Sequence, residues 1–356
     1  MAEMTAAQRA QYFAMSTRQN MHMLARETAL NSPSTLQFTL PKSRLLSSLL
    51  VKVKMNLNVK HASKTSLSTT VANDEIWKYR TIRRIALDLN NGFSPFVCSG
   101  SELALYNLVD VHGNSYHDNK TVTLTASSTG ANNAIEFDMY LPCTLNERDP
   151  VGLILLQNDS TNVVLTIDTA NASEIFSSAT ASDISGFTFD INNISVDVMT
   201  TTYSIPANNN AFPDLSVLKL VNGRNDAMPA TGQQVIKLAT GTIYRKILFK
   251  IVDENGKPVD NNFITSPFEI VFNQADTNYS ISPEMLRLLN TKLLGYELPK
   301  GVYCFDFSNT GSFVNLGGTR DYIDSANLTE LWLRFTTTGK GKVEIVTECI
   351  ARLTGN

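Results

Sequence analysis

The sequence predicts an all-β protein made of two consecutive units, each the size of an eight-stranded jelly roll. From residue 34 onward, short segments alternate apolar and polar residues, which is typical of half-buried strands. Residues 206–214 are rich in Pro and Asn and divide this pattern into two halves. Each half holds about seven or eight predicted strands, one helical insertion and roughly 150–175 residues, which is the scale of one jelly roll.

The first 31 residues depart from that pattern and predict an N-terminal helical arm. Thr5 and Gln8 have the spacing of a capping box, and alanines at positions 6, 7, 10 and 14 favour a helix. Residues 31–33, Asn-Ser-Pro, are a typical helix stop. We therefore expect one helix from Glu3 to Leu30, with apolar side chains spread around much of its circumference.

The first unit, residues 32–205, is predicted to alternate strands with one short helix. Its strands follow a period of two and are expected at residues 36–40, 49–59, 81–89, 121–126, 134–141, 163–169 and 194–205. Residues 101–109 (SELALYNLV) have the pattern of a helix instead, and Ser101 is its expected N-cap.

The second unit, residues 206–356, repeats this organisation. Its strands are expected at residues 215–221, 241–253, 268–274, 301–307, 328–336 and 342–353. Asn255-Gly256 is a typical hairpin turn. Residues 337–345 carry two glycines and two lysines between two strands, and they predict a second hairpin turn.

One helix is also inserted into the second unit. The run Ser282-Pro283-Glu284 provides an N-cap, a proline at the first helical position and an early acid. The apolar residues of this helix share one face and are Met285, Leu288, Leu289 and Leu293. We expect a short amphipathic helix at this place.

Composition limits the possible functions. The chain has 356 residues, of which 43% are hydrophobic and 18% charged, and this is ample for two cores. A net charge of −3 gives no overall attraction to nucleic acid, so we expect no direct nucleic-acid partner. No apolar run approaches the ~18 residues of a membrane-spanning helix. Arginines at positions 9, 18 and 26 interrupt the N-terminus, which is therefore not expected to be a signal peptide.

The cysteines predict free thiols. They are scattered along the chain and are Cys98, Cys143, Cys304 and Cys349. Without a C-x-x-C pair, their spacing fits neither a zinc site nor a small disulfide framework. Free thiols of this kind are typical of a reducing cytoplasm.

No catalytic or metal-binding pattern stands out. His112 and His117 lie five residues apart with no third ligand nearby, and His22 and His61 have no nucleophile or carboxylate beside them. Residues 253–256 lack the oxygen spacing of a calcium loop. We therefore expect no catalytic residues, no cofactor, no metal and no enzymatic activity. A pair of carboxylates that meets only in the folded chain is the enzymatic alternative.

Four segments resemble the major capsid proteins of tectiviruses, which are tailless icosahedral phages with a membrane under the capsid. Residues 49–63 (LLVKVKMNLNVKHAS) resemble the first long strand of that family. Residues 297–307 (ELPKGVYCFDF) resemble its segment in which Pro-Lys-Gly-Val-Tyr leads into a strand. Residues 213–223 and 242–256 also resemble it, in the same order and at similar spacing. The resemblance is greatest to the tectiviruses of Gram-positive Bacillus hosts.

The resemblance implies a double jelly roll that forms homotrimers. Three two-lobed chains would make a pseudo-hexagonal capsomer, and capsomers would assemble the icosahedral shell over an internal membrane. The implied partners are neighbouring trimers, penton and minor capsid proteins, and the inner viral membrane through the N-terminal arm. The implied location is the virion capsid, assembled in the bacterial host cytoplasm. Residues 110–135 and 170–190 resemble nothing in the family, so surface features there are not carried over.

In the family the N-terminal helix lies at the base of the capsomer and faces the membrane. The segment here has a modest basic excess and adaptable methionines, which suit an anionic lipid surface or a changing partner. The residues expected to make membrane or assembly contacts are Arg9, Tyr12, Phe13, Met15, Arg18, Met21, Met23 and Arg26. Weak amphipathicity predicts loose lipid contact rather than insertion. The alternative, that the helix packs beneath its own trimer, is equally open.

A second function is also compatible with two β-sandwiches, namely a carbohydrate- or receptor-binding protein such as a spike or a lectin. Sugar-binding platforms favour exposed Trp and Tyr. The chain has only Trp77 and Trp332, and the strand pattern around Trp332 predicts that it is buried. The capsid hypothesis is therefore the leading one.

Overall fold

The computed structural model describes residues 5–72, 74–90, 92–110, 122–145, 150–157, 162–208, 211–308 and 322–352. Strands dominate these residues, and three α-helices accompany them. The helices are α1 (Ala6–Ser16), α2 (Gly100–Asp110) and α3 (Pro283–Leu294).

The strands form two groups along the chain. The first group is β1 (Gln19–Met23), β2 (Glu27–Asn31), β3 (Thr35–Thr39), β4 (Leu45–Lys60), β5 (Ser66–Ser68), β6 (Ile82–Leu89), β7 (Phe93–Cys98), β8 (Thr123–Thr125), β9 (Ala131–Pro142), β10 (Ile154–Leu155), β11 (Val163–Thr169) and β12 (Thr188–Tyr203). The second group is β13 (Val217–Met228), β14 (Gly232–Leu238), β15 (Ile243–Asp253), β16 (Phe268–Phe272), β17 (Asp276–Ile281), β18 (Val302–Asp306), β19 (Ile323–Asp324), β20 (Leu331–Thr337) and β21 (Gly341–Arg352).

The first group of strands forms one jelly roll, called the first roll below. One sheet has the order β1/β2–β12–β4–β9, in which β1 and β2 pair with successive parts of β12. The opposing sheet has the order β3–β11–β6–β7. Every second residue of a strand points to the same face, so the two sheets bury a common set of side chains between them. That core includes Val53, Phe137, Val198, Leu87 and Leu165.

The second group forms the second roll in the same way. Its sheets have the orders β13–β21–β15–β18 and β14–β20–β16–β17. The core between them is rich in aromatic rings, among which Phe268 packs edge to face against Phe249 at 4.9 Å and against Phe335 at 5.4 Å between centroids. The chain is therefore all-β with a pair of eight-stranded rolls, as predicted.

The two rolls are joined by a continuous sheet and a buried junction. β7 of the first roll pairs in parallel with β13 of the second, at Phe96–Val221 and Val97–Asn222. α2 of the first roll lies against the β13–β21–β15–β18 sheet, on the face opposite the core of the second roll. That sheet is covered on both faces, which explains why residues 244–252 of β15 are all buried.

The two rolls also correspond element by element. The order of the strands in the sheets pairs β1/β2 with β13, β12 with β21, β4 with β15, and β9 with β18. The helices α2 and α3 also hold matching places. In the first roll, α2 comes after the edge strand β7 of one sheet and before the edge strand β9 of the other. In the second roll, α3 comes after β17 and before β18 in the same way. The chain therefore contains the same arrangement twice.

Two asparagines fix this correspondence to the residue. The Asn107 side chain in α2 donates to the Tyr140 carbonyl at 2.7 Å and accepts from the Tyr140 N–H at 2.9 Å. The Asn290 side chain in α3 makes the same two bonds to Cys304, at 2.8 and 3.0 Å. Each asparagine satisfies backbone groups that an edge strand leaves unpaired. Asn107 therefore corresponds to Asn290, and Tyr140 to Cys304.

The predicted helix from Glu3 to Leu30 is wrong beyond Ser16. α1 begins with the predicted capping box of Thr5 and Gln8, but the residues after it form β1 and β2. These two strands pair antiparallel with residues 199–203 and 192–196 of β12. The edge of this long strand offers in-register backbone partners, and these outweigh local helix propensity.

The N-cap of α2 is Ser99 rather than the predicted Ser101. The Glu102 N–H donates to Ser99 Oγ at 3.3 Å, and the Ser99 N–H donates to Glu102 Oε2 at 2.7 Å. This is a reciprocal capping box placed two residues earlier than expected. For α3, Ser282 is the N-cap as predicted, since its Oγ accepts from the Met285 N–H.

Each predicted strand overlaps an observed one, but the structure also contains strands that were not predicted. Residues 337–345 do not form the predicted hairpin turn, because β20 and β21 belong to different sheets. β14 and β17 were not expected, and β17 is largely polar. Asn255-Gly256 is a turn as predicted, with Gly256 at φ 77°. The predicted boundary at residues 205/206 falls in the link between β12 and β13 and stays a prediction.

Candidate functional site

The N-terminal helix is anchored to its own chain by one aromatic ring. Phe13 is 4% exposed and packs with Leu45 and Leu153. Its ring meets that of Tyr203 edge to face, with 5.5 Å between centroids. Leu45 begins β4 and Tyr203 ends β12, so α1 lies at that end of the long strands, called the base below. Phe13, predicted to touch membrane or a partner, therefore belongs to the packing of its own chain.

The other predicted contact residues lie in two separate places. Those exposed are Tyr12, Met15, Arg18, Met21, Met23 and Arg26, whereas Arg9 is half-buried. The α1 residues lie at the base, and the β1 residues lie at the edge of the β1/β2–β12–β4–β9 sheet. Arg26 pairs with Asp197 at 2.6 Å and holds the pKa of that carboxyl below its usual value. The structure therefore does not gather the eight residues into one patch.

Part of this segment belongs to an apolar row that crosses the first roll. Met23 is in register with Met199, Met199 with Leu50, and Leu50 with Tyr140, across β1, β12, β4 and β9. Their neighbours along the strands, such as Val51 and Val198, point into the core, so the row lies on the opposite, outer face. Met23 is exposed and the other three are half-buried. These four residues are called the outer apolar row below.

Three members of the outer apolar row were missed in the sequence. The members come from four different strands, and only the register joins them. A signal was present nonetheless. Leu50 stands between the core residues Leu49 and Val51, and Met199 follows the core residue Val198, so each breaks the alternation at an outward position.

A second exposed apolar surface lies on α3. Met285, Leu288 and Leu289 share a face as predicted, but that face is 54%, 48% and 44% exposed. The helix buries its opposite side, which carries Leu286 and Asn290. The hydrogen bonds of Asn290 to β18 fix the helix in this orientation. Met285, Leu288 and Leu289 are called the α3 row below.

A set of buried charges connects the two rolls. Asp110 at the end of α2 contacts Lys219 at 3.2 Å and also Lys246. Glu348 contacts Lys246 at 3.6 Å, Lys219 at 3.7 Å and Arg245 at 3.3 Å. Burial alone would raise the pKa of both acids, but the surrounding cations overcome it and hold each pKa below its usual value. Both acids therefore stay ionised at neutral pH, which suits a structural lock rather than proton transfer.

A smaller buried cluster repeats this connection. Lys250 of the second roll reaches Asp74 of the first roll, with 2.8 Å between Nζ and Oδ2. Arg80 pairs with the same carboxylate oxygen at 2.5 Å. Lys246 and Lys250 are four residues apart in β15 and point to the same face, so one strand carries both connections.

Glu102 in α2 is an acid of a different kind. Its carboxylate lies directly over Gly223, where an added Cβ would come within 2.0 Å of Oε2. Burial raises its pKa to about 6, the hydrogen bonds from Ser99 oppose this, and the charge of Glu344 adds to it. Its Oε1 atom has no hydrogen-bond partner among the described residues. Glu102 is therefore the buried acid whose charge changes nearest neutral pH among those discussed.

The described residues offer little to a metal ion or a nucleophile. Within those ranges no group of three His, Cys, Asp or Glu side chains could hold a metal. His22 lies exposed on β1. His61 is fixed after β4, where its Nδ1 accepts from the N–H groups of Ser63 and Lys64. His112 and His117 lie outside the described residues.

All four cysteines are free and buried. Burial raises the pKa of each thiol, to about 12 for Cys143 and about 11 for Cys349. They are therefore poor nucleophiles. None of the helices in the described ranges has the length and apolar character needed to cross a membrane.

The two tryptophans do not form a sugar-binding platform. Trp77 is buried and stacks on Phe176 with 5.6 Å between ring centroids. Trp332, predicted to be buried, is half-buried on β20, with the Lys237 ammonium 6.0 Å from its ring centroid. The first ring is inaccessible and the second lies beneath a lysine. The carbohydrate-binding alternative therefore gains no support from these residues.

No protein-family model matches the sequence, and no curated protein matches it. Solved structures do match. The crystal structure of the STIV MCP superposes with a TM-score of 0.67 at 14% identity, covering 94% of this chain and 97% of that one. The atomic structure of Sulfolobus Turreted Icosahedral Virus gives a TM-score of 0.65 at 13% identity, with 94% and 91% covered. The major capsid protein P2 from Bacteriophage PM2 gives 0.57 at 9% identity, with 95% and 99% covered.

These similarities extend over nearly the whole of both chains in each case. At 14% identity and below, they establish the fold rather than the family. The chain is an all-β double jelly roll.

Proposed function

We propose that this chain is a major capsid protein whose copies form homotrimeric, pseudo-hexagonal capsomers. The observation that supports this most is the complete double roll, matched over 94% of the chain by the STIV MCP and over 95% by the major capsid protein of PM2. The buried charges at the junction stay ionised and hold the rolls together, which suits a building block with no catalytic step. The proposed location is the virion capsid, assembled in the host cytoplasm.

The doubled architecture gives a physical reason for a trimer. Three chains with two matching rolls each supply six lobes, which approximate a hexagon and tile a shell efficiently. A contact from the second roll of one chain to the first roll of the next is heterologous, and it can close into a ring. The α3 row and the outer apolar row lie on different rolls, as such a contact requires.

The N-terminal residues support a more specific proposal, a tectivirus-like shell over an internal membrane. α1 is anchored by Phe13 and leaves Tyr12 and Met15 exposed at the base, beside the exposed Arg18. Aromatic, thioether and basic side chains together suit loose contact with anionic lipid. In this proposal the base faces the membrane, and neighbouring trimers, penton proteins and minor capsid proteins are the other partners.

Light scattering of the purified chain at micromolar concentration tests the proposal. We expect a particle of three times the 39.2 kDa chain mass, and six-lobed particles by electron microscopy. Such a trimer should bury several thousand Å² in total. A stable monomer at this concentration would contradict the proposed function. Flotation with anionic vesicles tests the membrane contact separately, and a chain that never floats would contradict that part alone.

A further inference from the structure

We propose that the α3 row docks on the outer apolar row of a second copy of this chain. This inference rests on the proposed function, the assembly of identical copies, and it adds which surfaces meet. The occupant of the outer apolar row is thus a helix of the neighbouring second roll. The argument depends on a contact that the chain already makes with itself.

Within one chain, α2 covers a row that corresponds to the outer apolar row. In the second roll, Gly223 is in register with Val346, Val346 with Leu248, and Leu248 with Cys304, across β13, β21, β15 and β18. The last three residues are buried in the same apolar cluster as α2, and Glu102 of α2 lies over Gly223. This is called the covered row below.

The covered row and the outer apolar row occupy the same place in their rolls. Cys304 and Tyr140 are matched because each is bonded by the asparagine of its own helix. From there the register matches Leu248 with Leu50, Val346 with Met199 and Gly223 with Met23. One row lies beneath a helix of the neighbouring roll, whereas the members of the other row are exposed (Met23) or half-buried.

The two helices match in the same way. The correspondence of Asn290 with Asn107 aligns the two helices residue by residue. It pairs Met285 with Glu102, Leu288 with Leu105, and Leu289 with Tyr106. These three α2 residues are buried in the junction. Their α3 counterparts are exposed, and within the described residues no further roll packs against them. A second copy supplies the missing roll, and it presents the uncovered row at the matching place.

The strand edges agree with this contact. In the chain, α2 covers the second roll while β7 pairs in parallel with the edge strand β13. The strands that correspond to β7 and β13 are β17 and β1/β2. Within the described residues, each of these pairs with a neighbouring strand on one side only. One contact between copies would thus bring an exposed helix face and two open strand edges together. The contact is heterologous, as ring closure requires.

A pairwise crosslink tests the predicted neighbours. Since Glu102 touches Gly223, the corresponding pair is Met285 of one copy and Met23 of the next. The double variant Met23→Cys with Met285→Cys should be joined between chains by a short bis-maleimide, giving denaturant-resistant species of two and three chains. Either single variant should stay at the mass of one chain, because the native thiols are buried. Native-sized oligomers of the double variant that do not crosslink would overturn the inference.

A charge placed in the α3 row provides an independent test with a matched control. Leu289 and Val235 are both 44% exposed, but Val235 lies on β14, away from the proposed contact. We expect Leu289→Asp to weaken association of copies at least 100-fold in sedimentation, while Val235→Asp leaves association unchanged. Trimers that survive Leu289→Asp would overturn this inference alone. A wild-type chain that is monomeric would overturn the proposed function and this inference with it.

Discussion

Charged side chains at the junction of the rolls contact one another in groups rather than in isolated pairs. A single substitution there therefore changes the charge balance of a whole group. Glu348 is buried among Lys219, Lys246 and Arg245, and two of these cations also contact Asp110. Loss of one acid leaves buried cations with too little counter-charge. Such a loss is far more costly than breaking a solvated surface pair, because buried ions cannot be rehydrated without opening the structure.

Glu348→Gln should therefore destabilise the protein by about 3–5 kcal/mol. The amide keeps the shape of the side chain but removes the negative charge that three cations share. Chemical denaturation of the variant and the wild type measures the difference. Glu136→Gln is the control, since Glu136 is exposed and pairs with Lys52 and Lys54 at 3.1 Å each. Equal effects of the two substitutions would contradict the buried-cluster interpretation.

Glu102 should make stability fall as the pH rises through about 6. Burial raises its pKa from 4.5 to about 6 in the folded chain, so the folded state binds its proton more tightly than the unfolded state. The stabilisation is fully present below pH 4.5 and is lost as the pH rises through the folded pKa. The difference corresponds to roughly 2 kcal/mol.

Glu102→Gln tests this, because the amide is neutral at every pH. We expect the variant to exceed the wild type in unfolding free energy at pH 8 and to lose that advantage near pH 4.5. Parallel denaturant titrations at both pH values give the comparison. A difference that is the same at pH 4.5 and pH 8 would argue against titration of Glu102 as its cause.

At the scale of elements, neighbouring strands decide what a segment becomes. β15 is buried along residues 244–252 because its own roll covers one face and α2 covers the other. Residues 19–31 form strands because β12 presents an edge to them. Within the described residues no strand edge pairs with α1, which keeps the helix that its capping box begins. The same chain segment thus changes from helix to strand where pairing becomes available.

Phe13→Ala should release α1 while leaving the rolls folded. The ring is the main contact of α1 with Leu45, Leu153 and Tyr203, and an isolated helix of this length is marginal in water. We expect faster tryptic cleavage at Arg9 and Arg18, followed by mass spectrometry. Tyr12→Ala removes an exposed neighbouring ring and is the control. Similar cleavage rates for both variants would show that Phe13 is not the anchor.

At the scale of the whole molecule, the two rolls form one connected body. The first roll carries the outer apolar row, and the second roll carries the α3 row. The junction uses a parallel strand pair, an apolar cluster and two sets of buried charges. The α3 row corresponds to the buried face of α2 in that junction, and the outer apolar row corresponds to the covered row. The two rows do not contact each other within one chain. The chain thus carries two different apolar rows on different rolls, as the proposed ring of copies requires.

Two N-terminal deletions should separate lipid contact from assembly. Removal of residues 1–16 takes away α1, and we expect trimers that float poorly with anionic vesicles. Removal of residues 1–31 also takes away β1 and β2, which leaves the edge of β12 unpaired and removes Met23. We expect the larger deletion to impair trimer formation as well, as judged by light scattering. Trimers lost already on the smaller deletion would place α1 in the oligomer contact.

Much of the fold could be predicted because strand alternation and helix caps are local properties. In residues 49–59, a period of two in the sequence shows which side chains face the core. Ser282-Pro283 marks the start of a helix without any contribution from distant residues. The exposed residues Tyr12, Met15, Met21 and Met23 were also identified as candidates. The burial of Phe13 was not, because its partners Leu45, Leu153 and Tyr203 are distant in the sequence.

Two all-β units, their inserted helices and an N-terminal segment of different character can therefore be predicted from the sequence alone. The folded chain is needed to show that residues 19–31 pair with β12, that β20 and β21 enter different sheets, and that Met23, Met199, Leu50 and Tyr140 form one row. The reason is that a strand's period states which face is buried, whereas its partner and register depend on backbone groups far away in the chain.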